Sequence, residues 1–382
     1  MIPSGFSFSA VNAGVKSPEY TSDDIGLVLC ERDALVAGVF TKNRIKAAPV
    51  IIAQELVSRG RIRAVFANSG NANACTGDSG IHDAHSIMES VAGHLGLGKE
   101  EVIPLSTGVI GVKMPVERIL RKIPLLVQGL THDPEVFARS IMTTDTFPKI
   151  VRKQAGRATV LGIAKGAGMI APDMATTLAV ILTDAEMTKQ SLDTIIKSAV
   201  EKTFNAITID GDMSTNDCLI ALSSCLIQEE LSIVSKAIQE TIQELALMIV
   251  RDGEGATKFV EIIVDGAQRD DDAKRIGLSV ANSLLVKTAL FGADPNWGRI
   301  MAAVGYSPVP VNETDISIMI NGLLIVRSGQ EAEGFQENDL HEKLKSKDIQ
   351  IRISVGNGTG SFTVWTTDLS YAYVQINAEY RT

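Results

Sequence analysis

Aromatic residues make up only 5% of the 382-residue chain, and cysteine occurs four times. Cys30, Cys75, Cys218 and Cys225 include no CxxC pair, so the short-spaced ligand sets of zinc sites are absent, and a chain of this length does not need a disulfide framework. All four are read as free thiols buried as small hydrophobes. Positive charge is also scarce. With 36 Lys+Arg against 45 Asp+Glu the net charge is −9, which argues against a nucleic-acid or anionic-membrane partner, since either calls for basic patches. Apolar runs such as Leu178 to Leu182 fall far short of the ~20 residues needed to span a bilayer. The opening Met1-Ile2-Pro3-Ser4-Gly5 lacks the basic and apolar segments of a secretion signal. A soluble, cytoplasmic protein is therefore expected. His82, His85 and His94 stand without an acidic helix motif and read as a solvated helix face. Neither a metal nor a cofactor is expected.

What is present is apolar surface. Hydrophobic residues are 45% of the chain, enough to offset the ordering entropy, and the length suits about two domains. Leu27 to Cys30, the turn Glu31-Arg32-Asp33, and Leu35 to Phe40 read as a hairpin, and Arg63 to Phe66 as a further strand. Helices are expected around His82 to Leu95 and Pro115 to Ile123, with Pro115 in a first turn. Leu192, Ile195, Ile196 and Ala199 share one helical face, with Ser191 as cap. Val234, Ile238, Ile242, Leu245 and Ile249 form a second stripe that stops at Asp252-Gly253. Asn321-Gly322 marks a two-residue hairpin, and Ile349, Ile351, Ile353 and Val355 alternate as a strand. Strands and helices without a strict βαβ rhythm predict an α+β fold, a layered sandwich of mixed sheets flanked by helices. Gly253 to Lys258 lacks the full GxGxxG and follows a helix, so it is not read as a nucleotide loop.

One segment carries chemistry. Lys165-Gly-Ala-Gly-Met-Ile-Ala-Pro-Asp-Met-Ala-Thr176 runs from glycine-rich chain through Pro172 into the apolar stretch at Leu178. One reading is a loop feeding a buried strand. The other is that Thr176 is a nucleophile freed by a break after Ala175. A threonine hydroxyl needs a base within reach, and a new α-amine on the same residue is one, with an ordinary pKa of about 7.7–8.0. Ser106-Thr107-Gly108-Val109-Ile110-Gly111 offers a hydroxyl and a glycine N–H for an oxyanion; a plain turn is the alternative.

These stretches resemble the ornithine acetyltransferase / glutamate N-acetyltransferase family of arginine biosynthesis. So do Asn68-Ser-Gly-Asn-Ala-Asn73, Met142-Thr-Thr-Asp-Thr146, Ile209-Asp-Gly-Asp-Met-Ser-Thr-Asn216, Asp252-Gly-Glu-Gly-Ala-Thr-Lys258 and Phe291-Gly-Ala-Asp-Pro-Asn-Trp-Gly-Arg299. The blocks keep one order along essentially the whole chain. The resemblance implies a self-processing fold of the N-terminal-threonine-nucleophile type, cut at Ala175–Thr176 into an α chain of residues 1–175 and a β chain of residues 176–382, two of each forming a heterotetramer. It implies acetyl transfer from N²-acetylornithine to glutamate through an acetyl-Thr176 intermediate, and leaves acetyl-CoA open as a second donor. Thr107 and Gly108 would stabilise the oxyanion. Thr143, Lys165, Thr176, Glu254, Asn377 and Thr382 would contact substrate, with Thr144 an alternative to Thr143. The sequence departs from the family's run in Asp173, where Asn is usual, and in Thr177, where Met is common. A self-processing aminopeptidase and a non-catalytic amino-acid-binding protein are the competing readings. Lys165 and Glu254 suit a small zwitterionic diamine better than a peptide.

Overall fold

A computed structural model describes residues 2–171 and 177–379, which fall into two compact units. The first takes in residues 2–205 and 212–249 apart from 172–176, and the second residues 206–211 and 250–379. Its chain order is β1 (Phe6–Val11), β2 (Ile25–Phe40), α1 (Ala48–Arg59), β3 (Arg61–Asn71), α2 (Gly77–Leu95), β4 (Val102–Val109), α3 (Val116–Gln128), α4 (Pro134–Ser140), β5 (Lys149–Ala155), β6 (Ala158–Lys165), β7 (Leu178–Ala185), α5 (Lys189–Glu201), β8 (Cys218–Ile227) and α6 (Leu231–Arg251). These strands form one mixed sheet in the order β4-β3-β2-β8-β7-β6-β5, with β1 added alongside β2. β3 and β4 run parallel, as do β7 and β8, whereas β6 pairs antiparallel with β7 from Lys165↔Leu178 to Val160↔Thr183. Every residue of β6 and β7 is buried. Such two-sided burial suits their near-continuous apolar sequence. At Gly162 a Cβ would stand 2.5 Å from Thr241 Cγ2 and 2.7 Å from Leu245 Cδ1; glycine there lets α6 lie directly on the sheet.

The second unit continues with β9 (Phe259–Ala267), α7 (Asp270–Ala281), α8 (Leu284–Phe291), α9 (Trp297–Gly305), β10 (Ser317–Ile320), β11 (Leu323–Arg327), β12 (Gln330–Glu331), α10 (Glu337–Leu344), β13 (Asp348–Ser354), β14 (Gly360–Thr367) and α11 (Tyr371–Glu379). Its sheet has the order β12-β11-β10-β13-β9-β14, parallel only between β9 and β13. Ile349, Ile351 and Ile353 join a core with α7, α8 and α9, while Arg352 bonds Asp265 (2.6 Å) and Gln350 bonds Glu261 (2.7 Å) on the opposite face. The architecture is α+β, with two mixed sheets and helices. Among the described residues no helix is long and apolar enough to cross a membrane.

Several local expectations need correction. The proposed hairpin at Glu31-Arg32-Asp33 is one continuous strand, β2, whose register with β3 shifts between Leu29 and Ala34. None of those three residues takes the positive φ that a tight hairpin turn requires, and Arg63 braces the bend by donating to the Cys30 and Glu31 carbonyls, at 2.9 Å each. Thr188, not Ser191, caps α5, its hydroxyl accepting the Ser191 N–H at 3.1 Å. Of the cysteines only Cys30 and Cys218 are buried. Cys75 is exposed and Cys225 half-buried, and both occupy left-handed backbone at φ 57° and 53°. The Asn321-Gly322 turn forms as expected, with φ of 46° and 79°.

Lys287 of α8 is buried, its Nζ donating to Thr366 Oγ1 (2.9 Å) and the Thr367 carbonyl (2.5 Å). Burial lowers its pKa to about 7, against the pull of Asp368 and Asp210. The unfolded state then binds more protons than the native one between this value and the ordinary 10.5, so this group makes stability rise with pH across that window. Lys287→Met should flatten the rise; urea denaturation at pH 7 and pH 9.5 checks it, and an unchanged slope would refute the assignment.

Candidate active site

Four stretches of the first unit meet around Lys165: the end of β6, the residue before β7, the turn closing β4, and the loop ahead of β8. Thr177 is held at each of its polar groups. Its N–H donates to Asp217 Oδ1 (2.9 Å), its hydroxyl to the Lys165 carbonyl (2.5 Å), and its carbonyl accepts the Cys218 N–H (3.0 Å). The Lys165 ammonium turns the other way and donates to Thr107 Oγ1 (3.2 Å). Lys165 and Thr107 are both buried.

Thr107 and Gly108 lie just before the end of β4, where Gly108 opposes Gly70 of the parallel neighbour β3. Gly108 has φ 128°, and a Cβ there would stand 2.3 Å from the Gly70 carbonyl carbon and 2.6 Å from the Asn71 nitrogen. No other residue fits that approach. Buried amides fix the turn. Ser106 Oγ donates to Asn68 Oδ1 (2.6 Å), and Asn216 Nδ2 donates to the carbonyls of Ala72 (2.7 Å) and Ser106 (2.8 Å). Thr143 joins through a carboxylate. Asp145 accepts the Thr143 N–H on Oδ2 (3.0 Å), and on Oδ1 both the Gly166 N–H (2.7 Å) and Lys149 Nζ (2.7 Å). Burial pushes the Asp145 carboxyl up, but Lys165, Lys149 and the Gly166 N–H outweigh it and hold the group below the usual range.

In the second unit Asn377 of α11 donates from Nδ2 to Glu254 Oε2 (2.8 Å). Glu254 lies in the turn after α6, which Asp368 anchors by accepting the N–H groups of Thr257 (2.8 Å) and Lys258 (3.0 Å). Gly255, at φ 66°, leaves room for Tyr373 N, 2.4 Å from where a Cβ would sit. The structure thus brings Lys165, Thr107, Gly108 and Thr143 into one cluster and pairs Glu254 with Asn377. Ala175, Thr176, Asp173 and Thr382 lie outside the described residues. No group of three or more His, Cys, Asp or Glu suited to a metal occurs among the described residues.

A family model, ArgJ family, matches residues 7–382. The chain belongs to the ArgJ family. Curated relatives include the arginine biosynthesis bifunctional protein ArgJ of Geobacter sulfurreducens, 47% identical over 99% of both chains. That of Caldanaerobacter subterraneus is 43% identical over 100% of this chain and 98% of its own. Among solved structures, ornithine acetyltransferase of Mycobacterium tuberculosis in complex with ornithine is 42% identical over 44% of this chain and 92% of its own, with a TM-score of 0.43.

Sequence reading of this ArgJ-family chain missed Asp217, Asn216 and Asp145 as site-forming groups. Asn216 closes one quoted block and Asp145 lies within another. The available signal at Asp217 was a carboxylate placed directly before the apolar run Cys218 to Leu222. Asp217 is 1% exposed, and its Oδ2 has no hydrogen-bond partner among the described residues. Burial raises its carboxyl well above the ordinary range, against the Thr177 N–H, the Lys165 charge and the Ser214 backbone. The native state therefore holds this proton more tightly than the unfolded one, and the associated stability is lost as pH climbs from 3.8 through the native value. Asp217→Asn should remove that loss, so the variant gains on the wild type as pH rises. Thermal denaturation from pH 4.5 to 8 measures it, and parallel profiles would refute it.

Proposed function

We propose that this chain is a self-processing acetyltransferase of arginine biosynthesis that moves an acetyl group from N²-acetylornithine to glutamate. The observation that carries this reading is the clamp on Thr177. Its hydroxyl is spent on the Lys165 carbonyl and its N–H on Asp217, which leaves the hydroxyl of Thr176, the residue covalently joined to it, for chemistry. In the first step the Thr176 hydroxyl attacks the Ala175 carbonyl, shifts the acyl group from nitrogen to oxygen, and water completes the cut. The new α-amine then serves as the base for its own hydroxyl. An acetyl group transferred from acetylornithine leaves ornithine, and glutamate's amine takes the acetyl from Thr176.

Thr107 Oγ1 and the Gly108 N–H stabilise the oxyanion of each tetrahedral intermediate. Lys165 receives the α-carboxylate common to ornithine and glutamate, with Thr143 beside it. Glu254, held by Asn377, receives the ornithine side-chain ammonium, and Thr382 completes the substrate contacts. Water must be kept from the acyl-enzyme for transfer to prevail over hydrolysis. The α chain (1–175) and β chain (176–382) stay joined because β6 and β7 pair across the cut, and two of each form a cytoplasmic heterotetramer.

A denaturing gel with N-terminal sequencing tests the processing. Wild type should give two bands, one beginning Thr-Thr-Leu-Ala. Thr176→Ala should remain a single inactive chain while Thr177→Ala still cleaves; the reverse pattern overturns the assignment. Initial-rate lines for acetylornithine against glutamate should run parallel, as expected when one site serves both in turn, and intersecting lines would contradict the acetyl-threonine intermediate.

A further inference from the structure

A separate cluster of charge lies at the far end of β8, away from the Asn216–Asp217 end that holds the candidate site. Cys225 is seven residues beyond Cys218 along this strand, roughly 20 Å at the ordinary rise per residue. Here a cavity of about 460 Å³, wholly within the first unit, is lined by Arg32, Asp33, Arg61, Arg63, Ser224 and Cys225. Its walls come from two irregularities of the sheet. Leu29 pairs with Ala64 and Ala34 with Ile62, so residues 30–33 of β2 stand opposite the single residue Arg63 of β3. Cys225 interrupts β8 with a left-handed φ of 53°. Bulges redirect side chains, and here three guanidinium groups border one space.

Two of the three are fixed by main chain and not by carboxylates. Arg63 donates from Nε to the Cys30 carbonyl and from Nη2 to the Glu31 carbonyl, at 2.9 Å each, and Arg61 donates from Nη1 to the Asp33 carbonyl (3.3 Å). The Arg32 side chain makes no hydrogen bond among the described residues, and none of the three forms an ion pair there. Elsewhere surface arginines find carboxylates: Arg59 with Glu55, Arg139 with Glu135, Arg251 with Asp348, Arg275 with Asp271. The Ser224 hydroxyl is spent on the Ser4 carbonyl (2.8 Å). Among the described residues Asp33 is the one carboxylate lining the cavity, which leaves positive charge in excess within a chain of net −9. A phosphate monoester carries close to two negative charges near neutral pH and three acceptor oxygens, enough to engage all three guanidinium groups, where a carboxylate has one charge and two oxygens. Arginine's planar fork suits those oxygens. Among the described residues no aromatic side chain lines the cavity, so a nucleobase finds no surface to stack on.

We propose that this cavity is a binding site for a small phosphate ester without a nucleobase, its phosphoryl group seated among Arg32, Arg61 and Arg63. The carbonyl bonds of Arg61 and Arg63 hold two guanidinium groups in place before the ligand arrives, which lowers the ordering cost of binding. Arg63 spends only Nε and Nη2 on the strand, so its Nη1 group serves the ligand, and the exposed Arg32 supplies a further contact. Nothing in this site depends on acetyl transfer. The half-buried Cys225 thiol lines the same space and reports its occupancy, because a seated ligand shields it from reagents.

Alkylation of Cys225 by iodoacetamide, mapped by mass spectrometry in a Cys75→Ser background, tests this on the protein as expressed. The readout has to be local, because Lys113 and Arg121 line another cationic cleft of the same unit. Glycerol 3-phosphate should slow labelling of Cys225 in a saturable way, and glycerol should not. Arg32→Gln should raise the concentration needed for protection several-fold, and Arg32→Gln/Arg61→Gln about ten-fold or more. The Arg32 side chain carries no bond in the fold, so the single variant keeps the test valid should the double one prove less stable. Absence of protection in the wild type, or protection unaltered in the variants, would overturn the proposal. Equal protection by succinate at matched ionic strength would reduce the site to a general anion patch and overturn the phosphate assignment, and equal protection by sodium chloride would reduce it to screening.

Discussion

The site depends on two adjacent residues, Asn216 and Asp217, that hold two different parts of the sheet at once. The Asn216 amide fastens the turn carrying Thr107 and Gly108, and the Asp217 carboxyl fastens the amide of Thr177 at the head of β7. Because both come from the residues directly before β8, the distance between the Thr107–Gly108 turn and the head of β7 is set by one dipeptide. The support is built from the two buried residues that lead into β8.

The electrostatics follow from that placement. Lys149, Lys165, Asp145 and Asp217 are buried close together, and a buried charge without a partner is very costly. Asp145 is ionised and shared by the Lys149 ammonium and the Gly166 amide. Asp217 has its carboxyl raised by burial and, when protonated, contributes no charge. In that state Lys149 and Lys165 face one ionised carboxylate, Asp145. A surrounding of this polarity favours an anionic group over a neutral one.

Periodicity made much of the fold legible. The apolar stripes at Leu192 and Val234, the alternation at Ile349 and the Asn-Gly turn all became the elements they suggested, since each is a local pattern whose buried face needs only one partner surface. Glu31-Arg32-Asp33 misled because a polar triplet between apolar runs looks the same whether the chain reverses or a long strand bulges; the difference lies in the pairing with β3, which a local window cannot see. The site divides along the same line. Thr107, Gly108, Lys165 and Glu254 sit in glycine-rich blocks with an unusual composition, whereas Asp145 and Asp217 gain their roles only from burial and from neighbours distant in sequence. Cys75 and Cys225 were misplaced because residue type speaks to average burial and not to a left-handed backbone at a loop or bulge.

The pairing of β6 with β7 has a thermodynamic corollary. A break in the connection between these strands leaves the β6–β7 pairs themselves in place, whereas the unfolded state becomes two independent polymers free to diffuse apart. Refolding then turns from a unimolecular into a bimolecular event, and resistance to denaturation depends on protein concentration. Maturation would act as a one-way ratchet, committing each copy to the first native structure it reaches.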